Sequence, residues 1–220
     1  MSDENEPGVI EDGPLRYLLS VPADGGDGPW PVLCFLHGYD EAAPMEIRAA
    51  LMRHGPLRAG NPAIVRGFIV VAPQLPQAGD HWFRHADDVW HVIERVRGEH
   101  GGDARRTFLT GFSYGGNGVW DVGLLLAGRW AALWAVDPTR VPVEDPGAPV
   151  WLSFGNLARR QKGAFIDALR LHPAGGAAPH GARIWEDEGE DHVGSARRAY
   201  ADERIYRWLL SRQLPDAPAG

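Results

Sequence analysis

A single cysteine, Cys34, stands in 220 residues, which excludes an intrachain disulfide framework and leaves too few thiols for a structural zinc site. Basic residues are short against acids: 22 Lys plus Arg face 29 Asp plus Glu, a formal net charge of −7. That balance argues against a phosphate-tracking surface, and so against nucleic acid as the main ligand. Long apolar runs are missing. The longest, such as residues 130–136, fall far short of the roughly 20 residues a membrane span needs. Residues 2–12 are acidic and lack the apolar stretch that opens a signal peptide. These absences leave the expectation of a soluble, cytoplasmic protein of a reducing compartment, with neither membrane nor nucleic acid as partner.

What is present is a core. Hydrophobic residues make up 44% of the chain, and its length is generous for one domain but tight for two. Residues 1–14 and 215–220 read as loose ends around a single domain over 15–214. Within it, the runs 32–36 (VLCFL), 68–72 (FIVVA), 107–110 (TFLT), 131–136 (AALWAV) and 150–154 (VWLSF) predict buried strands. They are continuous rather than alternating, as expected for a parallel sheet covered on both faces. Residues 15–21 predict an earlier strand near the edge, and 182–185 (ARIW) a weaker last one. Helical segments are expected at 45–52, 87–100, 115–126, 163–171 and 200–210. The second carries Val89, Val92, Ile93 and Val96 on one face. Strand–helix alternation of this kind implies an open α/β sheet with right-handed crossovers. Of nine tryptophans, Trp120, Trp134, Trp151 and Trp208 sit in apolar runs and are expected in the core, whereas Trp82 and Phe83 lie in a polar loop and are candidate substrate walls.

The most specific local signal is Gly111-Phe112-Ser113-Tyr114-Gly115-Gly116, directly after a predicted strand and directly before a predicted helix. In that context G-x-S-x-G is a nucleophile elbow. A sharp strand-to-helix turn forces the serine into an unfavourable backbone conformation and lifts its hydroxyl toward the positive end of the helix. Such a hydroxyl needs a base. Among nine histidines, His54, His91, His100, His172 and His180 have no special context, while His81 and His85 flank Trp82. His192, in Glu188-Gly189-Glu190-Asp191-His192-Val193-Gly194, stands in the loop before the final helix, where the chain order Ser, acid, His requires the base. A third signal, Leu36-His37-Gly38-Tyr39-Asp40, follows the strand 32–36. The Tyr39 and Tyr114 N–H groups would form a two-donor oxyanion hole, with His37 as a structural turn residue.

With these residues the chain resembles small serine hydrolases of the α/β-hydrolase superfamily. It is similar to compact phospholipase/carboxylesterases, feruloyl and polyhydroxybutyrate-depolymerase-like esterases, and prolyl-oligopeptidase-like peptidases. Beyond the elbow, Val71-Ala72-Pro73-Gln74, Gly118-Val119-Trp120-Asp121 and the closing stretch from Ala199 through Tyr206-Arg207-Trp208-Leu209-Leu210 resemble segments of that group. The resemblance implies a mostly parallel sheet with helices on both faces, a minimal or absent lid, a Ser-His-acid triad and no cofactor or metal. It also implies a small-molecule ester, of short acyl or aryl type, as substrate. Peptidase or amidase activity, or a weakened hydrolase acting as a binding protein, is the alternative.

The acid departs from the pattern. Relatives carry an Asp in the turn that here reads Phe154-Gly155-Asn156-Leu157-Ala158, where Ala158 replaces it. Asn156 could orient an imidazole but supplies no charge. Asp137, at the end of the preceding strand and before Pro138, is the preferred replacement, with Pro138 expected to hold it extended. Asp187, Glu188, Glu190 or Asp191 in the histidine's own loop are the alternatives, Asp191 being the poorest because an adjacent side chain points the other way. Asp40, where relatives often have Gly, would disfavour an oxyanion if it pointed inward, and is expected to point away.

Overall fold

The apolar runs become the central strands of one nine-stranded sheet in the computed structural model, which describes residues 6–23, 28–175 and 181–216. The strands are β1 (Gly8–Ile10), β2 (Tyr17–Ser20), β3 (Trp30–Leu36), β4 (Ile69–Pro73), β5 (Gly102–Phe112), β6 (Ala132–Val136), β7 (Val150–Phe154), β8 (His172–Pro173) and β9 (Arg183–Asp187). Their order is β1-β2-β4-β3-β5-β6-β7-β9-β8. Only the β1/β2 and β2/β4 pairings are antiparallel. Among the described residues six α-helices are interleaved: α1 (Ile47–Leu51), α2 (Ala86–His100), α3 (Tyr114–Leu125), α4 (Lys162–Leu169), α5 (His192–Ala201) and α6 (Glu203–Leu210).

Strand alternation divides the core in two. Val32, Cys34 and Leu36 of β3 point to one face, with Val89, Ile93, Trp120, Phe165 and Leu169 of α2, α3 and α4. Leu33 and Phe35 point to the other, with Leu51, Ala196, Ala199, Tyr200 and Trp208 of α1, α5 and α6. Fully burying a large apolar side chain contributes about 1.5–3 kcal/mol, so both layers contribute to holding the sheet between them. Trp120, Trp134, Trp151 and Trp208 are all buried.

Two expectations change, and one strand had none. Residues 1–14 are not uniformly loose, since Gly8–Ile10 pair with Tyr17–Leu19 as an edge strand; residues 1–5 and 217–220 lie outside the described residues. The tiny strand β8 has no sequence signature because two residues cannot carry a period. The helix expected over 200–210 is two helices that meet at Asp202, and the first begins at His192. Helix α5 buries only Ser195, Ala196, Ala199 and Tyr200, mostly small residues that leave no apolar stripe to read. β6 and β7 are joined by residues 137–149 without a helix or strand, so no lid element rises there. Among the described residues, no helix is long and apolar enough to cross a membrane.

Candidate active site

Ser113 stands between β5 and α3 at φ 57°, ψ −115°, a conformation L-residues rarely adopt. Tight packing enforces it. A Cβ on Gly111 would lie 2.3 Å from the Gly115 carbonyl oxygen, and one on Gly115 would lie 1.9 Å from the Leu36 oxygen. The two glycines of the elbow are thus fixed by the backbone of the turn itself and by the end of β3. Ser113 N–H donates to the Val136 carbonyl at 2.9 Å, tying the elbow to β6.

His192 is the first residue of α5. Asp191 caps that helix, its carboxylate accepting the Gly194 N–H at 2.7 Å. The imidazole lies 2.8 Å from Ser113 Oγ through Nε2 and 2.7 Å from Asp137 Oδ2 through Nδ1. Phe112 packs against the imidazole ring, with centroids 4.6 Å apart. With Nδ1 donating to a carboxylate, Nε2 is left as an acceptor for the serine proton.

Asp137 follows β6 and is fully buried. It adopts φ 42°, so the expectation that Pro138 would hold it extended is corrected; aspartate tolerates the left-handed region, and the fold overrides the local preference. Its carboxylate accepts from the Gly155 N–H at 3.0 Å and the Ala158 N–H at 2.7 Å, with Leu157 N–H at 3.4 Å. The turn after β7, where relatives would carry the acid, therefore supplies backbone donors to an acid from the neighbouring strand. Gly155 is required there, because a Cβ would come within 2.4 Å of both Asp137 Oδ2 and Ser195 Oγ. Asn156 is exposed.

The carboxylates of the histidine's own loop lie in other surroundings. Arg159 holds Asp187 through Nη2 at 2.6 Å, and that hydrogen bond, against some burial, takes its carboxyl down to about 2. Burial pushes Glu188 up to about 7, the Ser153 hydroxyl opposing. Glu190 pairs with Arg198 and Asp191 caps α5.

Tyr39 opens a 3₁₀ turn (Tyr39–Glu41) and Tyr114 opens α3, so neither N–H has an intrahelical acceptor. A Cβ on Gly38 would lie 3.8 Å from Ser113 Cβ, which puts this turn against the nucleophile. Tyr39 and Tyr114 touch edge to face, with centroids 5.5 Å apart. Asp40 is exposed. His37 is buried; it contacts the Gly38 oxygen through Nδ1 at 2.6 Å and receives the Leu75 N–H on Nε2 at 3.0 Å. Burial takes its pKa down to about 4, so it is a neutral structural group.

Trp82 is buried, donating its indole N–H to the His37 oxygen at 3.3 Å, whereas Phe83 is 46% exposed. Both line a cavity of about 360 Å³ together with His81, Tyr114 and Asn117. A second cleft of about 180 Å³ contains Ser113 and His192, and also Glu41, Arg53 and His54. Sequence reasoning passed over Glu41 and His54. Neither had a sequence signal: Gly38 has no side chain to complete a capping box with Glu41, and His54 stands in no motif. His180 lies outside the described residues.

No family model matches the chain, and no curated protein matches it. Solved structures do. A thermostable esterase is 20% identical with a TM-score of 0.69, covering 96% of this chain, which spans 63% of that esterase. An S-formylglutathione hydrolase from Agrobacterium tumefaciens is 15% identical with a TM-score of 0.66, covering 98% of each chain. A feruloyl esterase module from Clostridium thermocellum, solved with sinapinate, is 13% identical with a TM-score of 0.66, covering 100% of this chain and 93% of the module. Likeness of this extent, on the strand order and elbow described above, shows that the chain has the α/β-hydrolase fold.

Proposed function

We propose that the protein is a serine hydrolase that cleaves carboxylic esters of small molecules, with Ser113, His192 and Asp137 as its triad. The observation that carries this reading is the unbroken chain from Ser113 Oγ through His192 to the buried Asp137. His192 Nε2 takes the Ser113 proton as Oγ attacks the ester carbonyl. Asp137 fixes the imidazole tautomer and stabilises the imidazolium that forms. The Tyr39 and Tyr114 N–H groups receive the developing oxyanion near the N-terminus of α3. His192 then protonates the departing alcohol, and the same base activates water to release the acid from Ser113.

Esterase neighbours of the same fold and the open connection after β6 agree with a short acyl or aryl ester as substrate. Trp82 and Phe83, through the cavity they line, would contact the substrate's larger group. The single cysteine, buried, is compatible with a cytoplasmic location, which we infer. A fluorophosphonate probe is expected to label Ser113 and p-nitrophenyl acetate to be hydrolysed, both lost in Ser113→Ala. Absence of both labelling and turnover in the unaltered protein would overturn the proposal.

A further inference from the structure

The chemistry above leaves one buried carboxylate beside the nucleophile unused. Glu41 is 3% exposed, at the end of the turn that carries Tyr39. Its Oε2 accepts the Gly38 N–H at 2.7 Å, and its own N–H points back to the Gly38 oxygen at 3.4 Å. Gln74 Nε2 donates to the Glu41 carbonyl at 2.7 Å, anchoring the turn to the end of β4. His54 Nε2 lies 3.6 Å from Oε1 and closes the other side of the carboxylate. A Cβ on Gly38 would be 3.2 Å from Glu41 Oε2 and 3.8 Å from Ser113 Cβ, so carboxylate and nucleophile flank the same glycine.

We propose that Glu41 is a positioning residue that holds the amide on the N-terminal side of Gly38, and so fixes the turn in which the Tyr39 N–H faces the oxyanion formed on Ser113. The inference rests on the serine-hydrolase reading. Glycine has the widest backbone freedom of any residue, and Gly38 is the residue immediately before the donor. Oxyanion stabilisation depends on donors fixed before the reaction begins, and an N–H that must reorient contributes far less. The Glu41 carboxylate holds the amide before Gly38, and the His37 contact with the Gly38 oxygen at 2.6 Å holds the peptide after it, so Gly38 is restrained from both sides. The carboxylate also uses up the Gly38 N–H, while the Tyr39 N–H stays available to substrate. Burial raises the Glu41 carboxyl above its ordinary value, the Gly38 N–H bond opposing.

The test uses two variants. Glu41→Gln keeps an acceptor for Gly38, and Glu41→Met keeps the volume without it. With p-nitrophenyl acetate and active sites titrated by fluorophosphonate, Glu41→Met is expected to lower kcat about 10²-fold while KM stays within about threefold. A trifluoromethyl ketone, whose Ser113 adduct places an oxyanion in the hole, is expected to bind correspondingly more weakly. Glu41→Gln is expected to stay within about tenfold of the unaltered enzyme. A kcat of Glu41→Met within about threefold of that enzyme, or Glu41→Gln as damaged as Glu41→Met, would overturn the inference. If Glu41→Met does not fold, Glu41→Asp, which withdraws the carboxylate by one methylene, replaces it with the same readouts and thresholds. Absence of labelling and turnover in the unaltered protein would sink the serine-hydrolase reading and this inference together, whereas an active unaltered protein with Glu41→Met within about threefold of it would sink this inference alone.

Discussion

Asp137 shows how much one position can require. Its carboxylate is fully buried, which is costly unless it is hydrogen-bonded, and here the backbone of residues 155–158 and the His192 ring surround it. The positive φ that aims it is a local strain held by the Asp137 N–H bond to the Ser153 oxygen at 2.8 Å. Asp137→Asn keeps a side-chain oxygen for the backbone donors but cannot fix the tautomer or stabilise the imidazolium. Its kcat on p-nitrophenyl acetate is expected to fall by up to about 10⁴-fold. Glu190→Gln, which breaks only an exposed pair with Arg198, is expected to stay within about tenfold. The reverse order in the same assay would move the acid into the histidine loop.

At the scale of elements, α5 does for the base what the elbow does for the nucleophile. A helix start fixes the first residue's backbone, and the Asp191 cap decides where this helix starts. Asp191→Ala is expected to cost about 1 kcal/mol, roughly 2–4 °C in Tm for a domain of this size. Because His192 is the next residue, kcat is expected to fall further than that stability loss alone would produce, by about tenfold at a temperature where the variant is fully folded. Thermal unfolding and kcat measured on the same preparation check both parts. Asp202 plays a related role at the junction of α5 and α6, accepting the Arg204 N–H at 2.8 Å. That junction is why one expected helix became two.

Across the whole molecule, Glu188 couples stability to pH. It lies just after β9, buried, with Oε1 lacking a hydrogen-bond partner. Burial raises its carboxyl from 4.5 to about 7. The folded state therefore holds a proton that the unfolded chain releases, and folding loses stability as pH rises from about 4.5 through about 7, after which the loss is complete. The full effect is on the order of 3 kcal/mol. Glu188→Gln removes the ionisation, so its Tm is expected to exceed that of the unaltered protein at pH 8 and to differ little near pH 4.5. Equal Tm differences at both pH values would show that Glu188 does not titrate this way.

The elements that read correctly from sequence alone are those whose signal is local. Continuous apolar runs mark β3 through β7 because a strand buried on both faces has no polar position to spare. The G-x-S-x-G elbow is legible because the turn's sterics fall within five residues, and His192 because chain order places it. Edge strands β1 and β8, by contrast, exist only through their neighbours, and α5 buries side chains too small to leave a period. The acid was open between strand β6 and the histidine loop. Asp137 and His192 are 55 residues apart, and their meeting depends on the parallel register of β6 with β7, where Val136 pairs with Ser153. Only that register brings the turn after β7 under the carboxylate. Local sequence set which chemistry was available; long-range strand pairing set which carboxylate could reach the histidine, because a side chain's partner is fixed by the backbone of its neighbours and not by its own.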